Sequence, residues 1–233
     1  MTDHRLALVV GANRGIGLGV TEAFLSANWD VVATARRPEQ ATALRELADR
    51  HAGRVTILPL EMNDPAALDG FGRALGDRKL DVALINAGVA GPDHRSANAA
   101  TAEEIGALMF TNAIAPIRLA RTIVPHLKPG PGVLAFQSSV MGSVAMNSGG
   151  GHELYRASKA ALNSLTRGLW GELRGKRLTV LSLHPGWVAT DMGGRGAPVS
   201  VADSARGIVR VIEAQSGAHQ HRYLDYTGAE IAW

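Results

Sequence analysis

Cysteine is absent from this 233-residue sequence. Disulfides, thiol nucleophiles and cysteine-held metals are excluded with it, and no metal site is expected. Aromatic residues are scarce, at 5% of the chain, and only three of them are tyrosines. No apolar run reads as a membrane span of roughly 20 residues. Leu6–Val10 is too short for a signal-peptide core, so a cytoplasmic protein with no membrane partner is expected. Charge of one sign is also lacking: the formal net charge is +3, and arginines are dispersed. Without a basic stripe or a recognition motif, a nucleic-acid partner is not expected. The small positive excess fits an anionic small ligand instead.

What the chain does contain is a regular alternation. Strand-like runs fall at Leu6–Val10, Asp30–Ala35, Val55–Leu60, Asp81–Ile85, Val133–Gln137 and Leu178–Leu183, with Arg222–Asp225 a candidate edge strand. Helical spacing fills the intervals. Asn28 suits a left-handed helix end. Asp64-Pro65, Thr101–Glu104 and Ser200–Asp203 mark helix starts. Two helices are long, Thr101 to Leu127 and Glu153 to Leu173. Strands joined through helices need crossovers, which implies a parallel sheet covered on both faces. The expected fold is α/β, a single doubly wound domain over residues 1–233.

Between the first strand and the first helix lies Gly11-Ala12-Asn13-Arg14-Gly15-Ile16-Gly17. Glycines there allow a tight turn and close approach of a ligand to the backbone. The helix N-terminus behind them offers N–H groups and a positive dipole end to a phosphate.

Tyr155 and Lys159 stand four residues apart, hence on one helical face. A phenol next to an ammonium can exchange a proton with an alcohol or a forming alkoxide. Ser138-Ser139 ends the fifth strand, at the sheet edge where ligands bind. Asn112 falls within the apolar stripe Ile105, Leu108, Met109, Pro116 and Ile123, and a buried amide must find partners. Pro116 has no N–H for the Asn112 carbonyl, so a kink and a free acceptor are expected there.

In this combination the sequence resembles the short-chain dehydrogenase/reductase family along essentially its whole length. Gly11 to Gly17 matches the family's cofactor loop, Asn86-Ala87-Gly88 its fourth-strand motif and Tyr155 to Lys159 its catalytic motif. Ser139 and Asn112 stand where its catalytic serine and asparagine do. The segment His184-Pro185-Gly186-Trp187-Val188-Ala189-Thr190-Asp191-Met192 matches the family's Pro-Gly segment, and with the ending Asp225–Gly228 it looks most like the C-factor and Sniffer carbonyl-reductase group. Two features depart from the pattern. The interval from Ser139 to Tyr155 is longer than usual, which keeps Ser138 and Ser143 open as alternatives. Glu61 replaces the aspartate that many members place against adenine.

The resemblance implies a Rossmann fold and an oxidoreductase that acts on a small carbonyl or alcohol with NADP(H). Ser139 would hold the carbonyl oxygen and Tyr155 would donate the proton. Lys159 would lower the phenol's pKa and bind the ribose, and Asn112 would support a proton-relay water. Cofactor contacts are expected from Gly11, Asn13, Arg14, Gly15, Ile16, Gly17, Glu61, Met62, Asn86, Ala87, Gly88, Tyr155, Lys159, Pro185, Gly186, Val188 and Thr190. Met141, Trp187 and Met192 would line the substrate site, beneath a mobile glycine-rich lid at 193–196. The second strand ends Thr34-Ala35-Arg36-Arg37, without the acid that grips a ribose 2′-hydroxyl. Arg36 with Arg14 looks like the family's NADP pattern. A homodimer or homotetramer through the two long helices is expected, with Gly168, Trp170 and Gly171 at the contact. The alternative is a non-catalytic, cofactor-binding signalling protein on the same fold.

Overall fold

The computed structural model describes residues 4–94 and 96–233. Leu6–Val10 forms β1, and its side chains alternate between two faces. Leu8 and Val10 enter one apolar core, Ala7 and Val9 the other. Six more strands repeat this pattern: β2 Asp30–Ala35, β3 Val55–Pro59, β4 Val82–Ile85, β5 Val133–Gln137, β6 Thr179–His184 and β7 His221–Asp225. All pair in parallel, in the order β3-β2-β1-β4-β5-β6-β7. The doubly wound α/β Rossmann architecture expected from the sequence is therefore the one observed.

Helices α1 Gly15–Ser26, α2 Thr42–Arg50 and α7 Val201–Gln215 cover one face of the sheet through Phe24, Leu44 and Ile208. The opposite face is covered by α3 Pro65–Leu75, α4 Ala102–Met109, α5 Ala115–Ile123 and α6 Glu153–Glu172. Phe71, Ile117 and Leu162 are its anchors. The helix starts follow the capping residues. Asp64 accepts the Ala66 N–H, Thr101 and Glu104 form a full capping box, and Ser200 accepts the Asp203 N–H. Asn28, just past α1, has φ 65°. Asp81 lies outside β4. Its carboxylate takes the Leu6 N–H at 2.8 Å and the Lys128 ammonium at 2.9 Å, tying two neighbouring segments together.

The first long helix departs from the expected plain kink. Pro116 cannot donate to the Asn112 carbonyl, and a π turn over Phe110–Ile114 absorbs the mismatch between α4 and α5. Among the described residues, the stretch Ala102–His126 is long and apolar enough to cross a membrane by length and composition, with a mean hydropathy of 1.2. That corrects the expectation that no such stretch exists. Ala113, Ile117, Leu119 and Ile123 from this stretch are all buried in the first core, which accounts for its apolar character.

The strand order reverses between β1 and β4, opening a crevice at their carboxyl ends. Gly11 follows β1 there and Asn86 follows β4, and the Asn86 amide donates to the Gly11 carbonyl at 3.0 Å. Gly11 has φ 80°, and an added Cβ would lie 3.0 Å from that of Ala87. The two loops are packed against each other at the head of the sheet.

Candidate active site

The glycine loop runs from this crevice into α1. A Cβ on Gly17 would fall 2.1 Å from the Gly11 carbonyl oxygen, so only glycine lets the helix start this close to the strand. Gly15 has φ 55°. Arg14 occupies the N-cap, no side chain caps α1, and no acid stands in its first turn. The leading N–H groups of α1 thus lack the side-chain acceptors that α3, α4 and α7 possess. Asn13 is exposed and Ile16 packs partly into the second core.

Strand β4 leads into Asn86-Ala87-Gly88. A Cβ on Gly88 would lie 3.1 Å from Asn112 Oδ1 and 3.5 Å from Lys159 Nζ, so this turn passes between two of the sequence-predicted site residues. Asn112 is fully buried. Its Oδ1 accepts the Val89 N–H at 2.9 Å. Its Nδ2 donates to the Val89 carbonyl at 2.8 Å and to Ser158 Oγ at 3.0 Å. The amide inside an apolar stripe is explained: it clamps the chain after β4 to α6.

Helix α6 carries Tyr155 and Lys159 on one face, as their spacing requires. Lys159 is buried, donates to the Gln137 carbonyl at 2.8 Å, and holds its ammonium 5.7 Å from the Tyr155 ring centroid. Burial pulls the ammonium down to about 8. Burial also pushes the Tyr155 phenol up to about 12, with the Ser139 hydroxyl partly opposing the rise. The expected lowering of the phenol by Lys159 is therefore absent. The cation lies over the ring rather than at the oxygen, and desolvation dominates.

Ser139 follows β5 in an extended conformation, and its Oγ accepts the Met141 N–H at 3.2 Å. That bond uses a lone pair and leaves the hydroxyl hydrogen free to donate. Ser138 instead gives its hydroxyl to Asn163 Oδ1 at 2.7 Å, and Ser143 Oγ accepts the Met146 N–H at 3.0 Å. Asn163 also donates to the Gly142 carbonyl at 3.3 Å. A Cβ on Gly142 would lie 2.9 Å from the Lys159 backbone, so the serine turn rests directly on α6. Sequence reasoning missed Ser158 and Asn163. Their signal was available, because Asn163 lies one turn beyond Lys159 and Ser158 sits next to it, both polar on a buried face.

The segment after β6 arches back over the crevice. The Pro185 carbonyl accepts the Ser204 hydroxyl at 2.7 Å, Gly186 has φ 86°, and buried Val188 bridges to Val199. Thr190 packs against Gly15 and its Oγ1 accepts the Gly193 N–H at 3.1 Å. Trp187 and Met192 are exposed and Met141 is half-buried. Trp187 Nε1 donates to the Gly193 carbonyl at 2.8 Å, so the glycine-rich stretch folds back as a hydrogen-bonded turn.

The two arginines expected to act together are separately engaged. Arg14 pairs with Asp191 across the glycine loop, while Arg36 Nη1 lies 3.9 Å from Glu61 Oε2. Glu61 Oε1 also accepts the Asn63 N–H at 3.1 Å, and the Met62 side chain is buried in the first core.

The arrangement is a proton-bearing phenol, a buried ammonium and a free serine hydroxyl beside a crevice built for an anionic ligand. The sequence profile described as short chain dehydrogenase matches residues 5–197. The chain belongs to the short-chain dehydrogenase family. This short-chain dehydrogenase is 42% identical to a carbonyl reductase from Pseudomonas aeruginosa PAO1 solved in complex with NADP. That comparison has a TM-score of 0.93 and covers 99% of this chain and 100% of the other. It is 34% identical to the carbonyl reductase Sniffer of D. melanogaster, at TM-score 0.89, covering 99% of this chain and 100% of that one. It is also 41% identical over 156 residues to the C-signal protein of Myxococcus xanthus, covering 66% of this chain and 93% of that one.

Proposed function

We propose that this short-chain dehydrogenase is an NADP(H)-dependent carbonyl reductase, interconverting a ketone or aldehyde with its alcohol. The observation that carries the reading is the convergence of Tyr155, Lys159 and Ser139 beside the β1/β4 crevice, where Lys159 and the serine turn both pack on the end of β5. Support for the cofactor comes from the uncapped start of α1 and from the NADP held by the Pseudomonas carbonyl reductase. Gly11 to Gly17 would cradle the pyrophosphate, with Asn86, Ala87 and Gly88 bordering the ribose. Pro185, Gly186, Val188 and Thr190 would flank the nicotinamide end.

When bound, the reduced nicotinamide supplies the hydride. Ser139 donates its hydroxyl hydrogen to the substrate carbonyl oxygen and fixes that oxygen near Tyr155. The Tyr155 phenol, held protonated by burial, gives its proton to the same oxygen as negative charge develops there. The Lys159 ammonium stabilises the phenolate left behind. Lys159 then returns a proton to the Tyr155 phenolate and regains one from solvent through a water, for which the Asn112 carbonyl, which Pro116 cannot cap, is the acceptor. Trp187, Met192 and Met141 give the substrate side an open, apolar character.

Turnover of NADPH over a panel of ketones, aldehydes and diketones tests the reading. Saturable oxidation with at least one carbonyl compound is expected. Tight NADPH binding with no turnover across the panel would favour the non-catalytic, signalling alternative instead.

A further inference from the structure

The Tyr223 hydroxyl donates to the main-chain carbonyl of Ser139. That carbonyl also accepts the Gly142 N–H at 2.8 Å, so both of its lone pairs are used. Tyr223 is 1% exposed and sits in the middle of β7, with its ring 5.1 Å from that of Trp233. β7 pairs with β6 along its whole length, so the strand does not need this bond to stay in place. The bond instead acts on the serine turn. Asn163 grips that turn from α6, through Ser138 and Gly142, and Tyr223 grips it from β7. The Ser139 side chain makes no comparable anchor, since its Oγ accepts the nearby Met141 N–H and otherwise acts on the Tyr155 phenol.

We propose that Tyr223 is a positioning residue for carbonyl reduction: its hydroxyl fixes the Ser139 main chain and so aims the Ser139 hydroxyl at the substrate oxygen. The inference rests on the reading above that Ser139 holds that oxygen. Without the Tyr223 hydroxyl the Ser139 carbonyl keeps only the Gly142 N–H, and the turn can relax toward other donors. Displacement of a reacting group by about 1 Å can cost on the order of 100-fold. A partial shift, with one of two anchors retained, should lower kcat about tenfold.

Tyr223→Phe keeps the ring and its packing on Trp233. The experiment measures kcat, KM, the NADPH dissociation constant and the thermal midpoint for wild type, Tyr223→Phe, Ser139→Ala and the double variant. The expected result is a kcat about tenfold lower in Tyr223→Phe, with KM and the NADPH constant within about twofold, as for an orientation effect. The double variant should be no slower than Ser139→Ala, because one residue acts through the other. Wild-type kcat in Tyr223→Phe, or losses that multiply in the double variant, would overturn the proposal. Wild-type turnover in Ser139→Ala is a different failure, that of the Ser139 reading itself. Trp233→Leu guards against a packing effect, because it removes the ring stack and keeps the hydroxyl. Its kcat should stay within about twofold of wild type, and a tenfold loss there would place the effect in packing and overturn the role of the hydroxyl.

Discussion

Lys159 holds its ammonium over the face of the Tyr155 ring, 5.7 Å from the centroid, and anchors it on the Gln137 carbonyl rather than on the phenol oxygen. The pair therefore rests as a neutral acid beside a buried cation. Tyr155→Phe removes the transferable proton and keeps the ring under the ammonium. Turnover should fall by at least a thousandfold, near the upper part of the roughly 10²–10⁴ range for acid–base groups, with NADPH affinity within about threefold. Lys159→Met should weaken both. Steady-state rates together with NADPH fluorescence titrations check this, and near-normal turnover in Tyr155→Phe would remove the phenol from the mechanism.

The same pair sets a pH limit. Burial brings Lys159 to about 8, so its ammonium is lost as pH rises through that value. Reduction should be steady below it and decline above it, because the phenolate left by proton donation loses its counter-cation. A log(kcat/KM) plot that stays flat from pH 7 to about 9.5 would contradict the assignment.

Cofactor choice turns on Arg36 and on the Glu61 carboxylate 3.9 Å from it. Both are well exposed, so water and salt weaken what each contributes. A guanidinium–phosphate contact should still favour NADPH over NADH by on the order of 100-fold. Arg36→Ala should reduce that ratio about tenfold with little change for NADH. Glu61→Gln should tighten NADPH slightly by removing a competing anion. Isothermal titration of both reduced cofactors decides it, and equal wild-type affinities would refute the preference.

Gly17 is the tightest point in the glycine loop. Alanine there would place a methyl 2.1 Å from the Gly11 carbonyl oxygen, a backbone atom with little room to retreat. Gly17→Ala should lower the unfolding free energy by more than about 2 kcal/mol, at the severe end for a point substitution. It should also weaken NADPH binding. Urea unfolding gives the first quantity, and a midpoint unchanged from wild type would show that the loop can yield.

Acid should destabilise the protein earlier than its carboxylates alone would. Burial lowers both His184 and His221 to about 4 from an ordinary 6.5. The unfolded chain therefore binds protons at these sites between pH 6.5 and 4 while the folded chain does not. Stability is complete above pH 6.5 and is lost as pH falls through this window, by on the order of 3 kcal/mol per histidine. His221→Gln cannot protonate, so its urea midpoint should fall less steeply over the same range. Parallel slopes for variant and wild type would sink the argument.

Much of the fold was legible because its signals are local. Period-two strands, the Thr101–Glu104 capping box and the Tyr155/Lys159 interval all depend on neighbours a few residues away. Residues of the site that depend on tertiary contact were harder to read. Asn112 stood out as a polar interruption, yet its partners Val89 and Ser158 lie 23 and 46 residues distant. Arg14 and Arg36 were read as a pair from their positions alone, whereas each has an acidic partner from a different loop. Trp170 is expected at the subunit contact, and within one chain its ring faces His221 and lies beneath the guanidiniums of Arg167 and Arg174. Tyr223 carried no motif, because its importance comes from a sheet order that brings β7 two strands away from β5.

The π turn at Phe110–Ile114 works as a phase shifter between two screws on one shaft. One extra residue in that turn rotates everything after it by about 100° relative to a continuous α-helix. Leu108 before the turn and Ile117 after it can then both be buried, while Asn112 is delivered sideways to Val89 and Ser158. The helix is consequently expected to be intolerant of changes in length through this turn. Loss of any single residue between Phe110 and Ile114 would realign the screw and turn Asn112 away from α6, even if every side chain at the site were kept.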